Sequence, residues 1–207
     1  MSIRNVRNIS SPNYPTSPDQ YTRQFQDQYT NILRLFSNSV ANSVNAPKVY
    51  GSFYDTTTQT NPVASAVNLI TLNTTVSAYG VRIGQPTSRV YMGETGVYNI
   101  QFSAQLDKAF GGSPESVYIW LRVNGANVAY SASQVVIKDT SAELVAAWNF
   151  IVILEADDYF ELAWASSDIH VQIKAVSSAV GPPAIPTTVP AIPSVILTVS
   201  WVSNTVT

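Results

Sequence analysis

WNFIVILEADDYFELAW, residues 148–164, is the stretch on which the fold turns. Trp148, Phe150, Val152 and Leu154 alternate onto one face before the acids, and Phe160, Leu162 and Trp164 alternate onto one face after them. A side-chain period of two belongs to a β-strand. Glu155, Asp157 and Asp158 therefore stand where a hairpin must reverse, and aspartate in a turn bonds to nearby backbone without needing a further role. A calcium loop would require more oxygen ligands at a recognisable spacing, and the EF-hand pattern is absent. A catalytic carboxylate pair would need a cleft wall, which adjacent residues on a turn tip lack. The turn is the preferred reading, and it predicts strands on both sides.

The same period recurs outward from this stretch. In VYNIQFSAQL, residues 97–106, Tyr98, Ile100, Phe102, Ala104 and Leu106 share one face, while Asn99, Gln101, Ser103 and Gln105 share the other. VYIWLRV, residues 117–123, repeats the alternation but carries Tyr118, Trp120 and Arg122 opposite its apolar face, which suggests a second contact surface. Similar runs lie at 49–55, 68–72, 79–83, 89–92, 126–137, 148–154, 159–164, 169–176 and 195–202, separated by turn chemistry such as GETG, FGGSP and NG. About ten short strands at this rhythm predict an all-β antiparallel sandwich or jelly roll over residues 46–207. GPPAIPTTVPAIPS, residues 181–194, breaks the rhythm: PAIP occurs at 183–186 and again at 190–193. Prolines exclude it from a central strand, so it reads as a long loop, either functional or covering a sheet edge.

Ahead of the strands the composition differs. Residues 1–16 contain Arg4, Arg7, Tyr14, Pro12 and Pro15 and no acid, the makeup of an extended arm whose order depends on a neighbour. SPDQ follows, where Ser17 can cap a helix, Pro18 suits its first position and Gln20 completes a capping box, so a short helix and linker are expected over 17–45. Phe25, Tyr29, Ile32 and Phe36 form a short coiled-coil seam. That seam either lies on the domain's own sheet or joins a bundle of symmetry-related helices.

Composition narrows the function. Of the 207 residues 12 % are charged and the net charge is −2, so no basic field exists to hold nucleic acid or an anionic membrane. No apolar run reaches the length of a membrane span, and MSIRNVRNISS lacks the apolar stretch of a signal peptide. With no cysteine and one histidine, His170, an ordinary zinc site within one chain is ruled out. By period two His170 sits with Gln172 and Lys174 on the polar face of a strand, and Asp168 is a turn residue. There is no GxSxG, GxGxxG, HExxH or phosphate loop. Asn8 and Asn73 open N-x-S/T triplets that read as chance. No catalytic, cofactor or metal residue is assigned.

Four phrases in order, SRVYMGETGVYNIQFSAQL, VYIWLRVNGANV, AAWNFIVILEADDYFELAW and PAIPSVILTVSWV, resemble the tumour necrosis factor and complement globular-head superfamily, and more narrowly the tailed-phage virion proteins that carry such a head. The resemblance covers roughly residues 49–203. Where that family's turn usually has Gly-Asp, this chain has Asp157 and Asp158. The resemblance implies a ten-stranded jelly roll that forms a homotrimer through aromatic faces, with Tyr118 and Trp120 at the contact, Trp148, Tyr159, Trp164 and Trp201 as core or threefold residues, and the Phe25, Tyr29, Ile32 and Phe36 seam joined about the same axis. It further implies a non-enzymatic virion protein without cofactors: a capsid decoration (cement) protein or short head fibre that attaches to the major capsid or other virion proteins through Arg4, Arg7 and Tyr14. The alternative is a receptor-binding tip recognising host surface glycan.

Overall fold

In the computed structural model the described residues are 12–16, 18–20, 22–44, 49–140, 143–180 and 188–204. They divide into two compact units, residues 1–47 and 48–207. The first contains α1 (Arg23–Val44), a helix of 22 residues, about three heptads and longer than the short helix expected. It does not begin at Ser17: residues 18–20 are non-helical, and Thr22 caps it, its Oγ1 accepting from the Phe25 N–H at 3.3 Å. Threonine is favoured at a cap and disfavoured inside a helix, which moves the start to Thr22. Phe25, Ile32 and Phe36 are half-covered along one face, Phe25 stacks on Tyr29 at 6.2 Å, and Tyr14 lies against Tyr29 at 5.5 Å.

The second unit is a sandwich of two antiparallel sheets. Sheet A contains β1 (Tyr50–Asp55), β4 (Thr74–Tyr79), β7 (Gly96–Lys108), β11 (Leu144–Leu154) and β16 (Val195–Ser203) in the order β4-β1-β16-β7-β11, with β2 (Gln59–Thr60) and β13 (Val171–Ile173) beyond the end of β11. Sheet B contains β5 (Val81–Ile83), β6 (Val90–Met92), β8 (Glu115–Val123), β10 (Ser133–Ile137) and β12 (Tyr159–Ser166) in the order β5-β6-β12-β8-β10, with the short β3 (Asn68–Leu69) and β9 (Ala126–Asn127) alongside. The ten principal strands and their crossed order make a jelly roll, as expected. β14 (Ala179–Val180) pairs with β15 (Thr188–Val189), and the Val176–Ile192 bridge extends the contact, so the described flanks of the Pro-rich segment are locally paired.

Alternation builds the core. Tyr98, Ile100, Phe102, Ala104 and Leu106 of β7 and Val117, Ile119 and Leu121 of β8 point inward and are buried, as their period requires, together with Phe53, Phe160, Leu162, Trp164, Leu197 and Val199. Two connections differ from the sequence reading. β4 (TTVSAY) was not anticipated, because its outward side chains lack an apolar alternation. The run 169–176 contributes only β13; Ile169 and His170 lie in a turn, with Ile169 exposed.

The acidic stretch is a turn, but not a hairpin between paired strands. β11 and β12 belong to different sheets, so the chain crosses the sandwich at Glu155–Asp158. The Asp158 N–H donates to the Glu155 carbonyl at 3.2 Å, and Asp157, at φ 68°, occupies the third position, where glycine is at ease and aspartate is among the few tolerated residues. The Asp158 carboxylate closes the turn by accepting from the Glu155 N–H (2.8 Å) and from Asn124 Nδ2 (2.6 Å). At β8–β9, Asn124 and Gly125, both at positive φ, form the two-residue turn that NG signals.

Candidate functional site

Among the described residues, one edge of the sandwich and the sheet face beside it form an apolar surface without a partner. β11 is an edge strand of 11 residues, LVAAWNFIVIL, paired on one side only, with β7. β10, SQVVI, is the edge of the facing sheet, and it lies against β7, so both edges close the same side of the sandwich. Neither strand contains a charge or a proline. Edge strands of stable monomers are blunted by charges, prolines or short length, because open backbone groups beside apolar side chains recruit further chains. β11 has none of these protections. Trp148, Phe150 and Val152 point inward yet remain half-exposed at the open side, with Trp148 edge-on to Phe102 at 4.7 Å.

The outward face of sheet A continues this edge. From β11 it presents Val145, Ala147, Asn149, Ile151 and Ile153, from β7 Val97, Asn99, Gln101, Ser103 and Gln105, and from β16 Ile196, Thr198, Ser200 and Val202. The register sets Ile151 beside Asn99 and Ile153 beside Val97, while Asn149 Nδ2 donates to Asn99 Oδ1 at 3.2 Å. Ile151 and Ile153 are each 67 % exposed, and Val145, Ile196 and Val202 are also exposed. None of these side chains is ionisable, and depletion of charge from the core of a patch is the compositional mark of a protein interface. The Lys174–Glu143 pair at 3.1 Å lies beside this surface, next to the β11–β7 end at Val145 and Gln105. The sequence reading missed Ile151 and Ile153. The signal was there, since residues 150–154 are apolar on both faces, which marks a strand covered on both sides.

The residues picked from sequence fall elsewhere. Tyr118, Trp120 and Tyr159 share the outer face of sheet B: Tyr118 is exposed, Trp120 Nε1 donates to Asn127 Oδ1 at 2.8 Å, and Tyr159 lies 5.3 Å from Tyr91 with the Arg89 guanidinium 4.4 Å over its ring. This face also carries charge. The buried Glu161 carboxylate pairs with Arg89 at 3.4 Å and Arg122 at 3.6 Å and accepts from Ser88 Oγ at 3.0 Å. Trp201 faces inward from the end of β16, its indole against Gly96, where a Cβ would come within 2.3 Å of Nε1. Trp164 is a core residue. Phe25, Tyr29, Ile32 and Phe36 do share one face of α1. Tyr14 contacts Tyr29, while Arg4 and Arg7, like Ser17 and Asn8, lie outside the described residues.

Lys108, Asp168, His170 and Asn73 each have partners within the fold. Lys108, buried in sheet A, pairs with Asp168 at 3.0 Å and Glu115 at 3.8 Å and donates to the Ser113 carbonyl at 2.7 Å. The His170 backbone N–H, more than Lys108, holds the Asp168 carboxyl below the usual carboxylate range against the opposing effect of burial. His170 Nδ1 lies 2.9 Å from Asp168 Oδ1 and its ring meets Phe110 edge-on; among the described residues no hydroxyl bonds to it. The Asn73 amide is taken up by Asp55 and Thr56. Among the described residues no group of three or more His, Asp or Glu could hold a metal ion, and no helix is long and apolar enough to cross a membrane.

The sequence matches no protein-family profile and no curated protein. Solved structures similar to this chain include the globular domain of zebrafish complement 1qA (13 % identity, TM-score 0.43, covering 77 % of this chain and 100 % of that one). Murine APRIL is similar as well, at pH 8.5 (9 %, TM-score 0.45) and at pH 8.0 (11 %, TM-score 0.46), each covering 75 % of this chain and 100 % of the other. The jelly roll itself follows from the strand order and register of this chain.

Proposed function

We propose that this chain is a non-enzymatic structural protein that works as a homotrimer, its copies joined through the edge strand β11 and the outward face of sheet A. The observation that carries this is the uncharged 11-residue edge with Ile151 and Ile153 standing in water. A closed ring of three copies covers every such edge at once, whereas open pairing would propagate. The α1 face of Phe25, Tyr29, Ile32 and Phe36 gains partners in the same assembly, because a seam that spans fewer than two heptads is weak by itself.

The setting we propose is a bacteriophage virion, with the trimer as a capsid decoration protein or short head fibre. The resemblance of the four sequence phrases to phage virion proteins supports this setting, and the arm of residues 1–16, with Arg4, Arg7 and Tyr14, is the segment assigned to the major capsid or another virion protein. Sedimentation of the purified chain tests the assembly, with a trimer expected at micromolar concentration. Deleting residues 1–16 should abolish incorporation into particles while leaving the oligomer unchanged, and normal incorporation of the truncated chain would remove the attachment role.

A further inference from the structure

Beside the bridge Val176–Ile192, where the second PAIP of the Pro-rich segment meets the end of β1, lies an open groove of about 570 Å³. Its size is within the roughly 300–1,000 Å³ of small-ligand sites. Tyr54, Thr56 and Thr58 line it together with Val176, Ile192 and Pro193, which supply apolar surface. We infer that this groove binds a neutral saccharide.

The chemistry of the lining selects that class. No lining residue is charged at neutral pH, so phosphate, carboxylate and amine ligands find no counter-charge. A wholly apolar ligand would leave hydroxyls without partners. Those hydroxyls are already oriented: Thr58 Oγ1 accepts from the Ala175 N–H at 3.1 Å and Thr56 Oγ1 accepts from Asn73 Nδ2 at 2.9 Å, which leaves each O–H free to donate. The ligand must therefore offer several neutral acceptors and an apolar face, and a pyranose does both, its C–H face suited to the Tyr54 ring.

The wall is also rigid. Buried Asp55 accepts from the Thr57 N–H (2.7 Å), Thr71 Oγ1 (3.2 Å) and Asn73 Nδ2 (3.2 Å), and the Asp55 carbonyl accepts from the Ser194 N–H (2.9 Å), tying the β1 end to the start of β16. A wall ordered before binding loses less entropy on binding. The groove is lined by described residues of one chain, and Tyr54 lies beside Ile196 of β16, at the margin of the sheet A face proposed above to associate, so binding is read in Ile151→Glu as well as in the parent.

The test is ligand-observed NMR and calorimetry with lactose, maltose and chitobiose as neutral probes and sialyllactose as the acidic one, followed by an array of neutral glycans. The full chain should bind at least one neutral probe. Tyr54→Ala should weaken that affinity by about tenfold, the scale of one aromatic contact, and Tyr54→Phe by less. Ala191→Trp, at an exposed lining position, should block the groove with the fold unchanged. Ile151→Glu, which acts on assembly alone, should leave binding intact. Failure of every neutral glycan to bind, equal binding by Ala191→Trp, or preference for sialyllactose would each overturn the inference.

Discussion

Replacing Ile151 with glutamate isolates the association surface from the fold. Ile151 points away from the core and is 67 % exposed in the single chain, so the substitution removes no intrachain packing of consequence and the unfolding temperature of the separated subunit should stay within a degree or two. In the proposed trimer the same side chain is covered. Full burial of an isoleucine contributes about 1.5–3 kcal/mol, and the two-thirds still outstanding amounts to about 1–2 kcal/mol per subunit, or about 3–6 kcal/mol for three copies. At about 1.4 kcal/mol per decade the trimerisation constant falls by roughly 100- to 10,000-fold. Because association of three chains depends on the square of concentration, the midpoint moves up by roughly 10- to 100-fold. Desolvating three carboxylates adds to this loss. Sedimentation velocity across a dilution series, with Ile151→Val as the conservative partner, measures the shift directly. A trimer of Ile151→Glu as tight as the parent, or a parent chain monomeric at every concentration, would refute the assignment of this face.

Two further outcomes test the account of the fold. Asp157→Gly should raise stability by about 1 kcal/mol, because the left-handed conformation at φ 68° penalises a side chain and glycine not at all; thermal unfolding measures it, and an unchanged or lower midpoint would contradict the turn geometry. Asp168→Asn should destabilise by about 3 kcal/mol by leaving the buried Lys108 with the more distant Glu115 as its one remaining counter-charge among the described residues. The Asp168 pKa is lowered on folding, so its contribution is full above the unfolded carboxylate value near about 3.9 and is lost as pH falls through the lower folded value. The parent should therefore lose stability along that acid limb and Asp168→Asn should lose less, a difference that parallel acid titrations followed by circular dichroism would reveal.

The strands that read best from sequence are those with one wet and one dry face. In β7 the alternation of Tyr98, Ile100, Phe102, Ala104 and Leu106 with Asn99, Gln101, Ser103 and Gln105 is a local property, needing no knowledge of which strands lie beside it. β4 escaped because Thr74–Tyr79 fills an edge of sheet A with mostly exposed side chains, where the pressure to alternate is weak. The helix start moved to Thr22 for a similar reason: two capping residues compete within one short stretch, and local chemistry alone does not rank them.

The candidate surface was harder to read. Tyr118 and Trp120 attract attention as aromatics opposite an apolar face, but the fold places them on a sheet whose outer side also holds Arg89, Arg122 and Glu161. In β11 the sequence declares only that both faces avoid water. Whether the second face is covered by another sheet, by a helix or by nothing in the same chain depends on strand order, which brings together residues far apart along the chain.

From composition and period alone came an all-β chain without metal-binding thiols or a basic field, its turn at Glu155–Asp158 and most of its core positions, because these depend on neighbours one to four residues away. The tertiary structure decided that β11 ends its sheet, that Ile151 and Ile153 stand uncovered, and that Tyr54 and the second PAIP line one groove, because each is a matter of which distant segments pair and which are left without a neighbour.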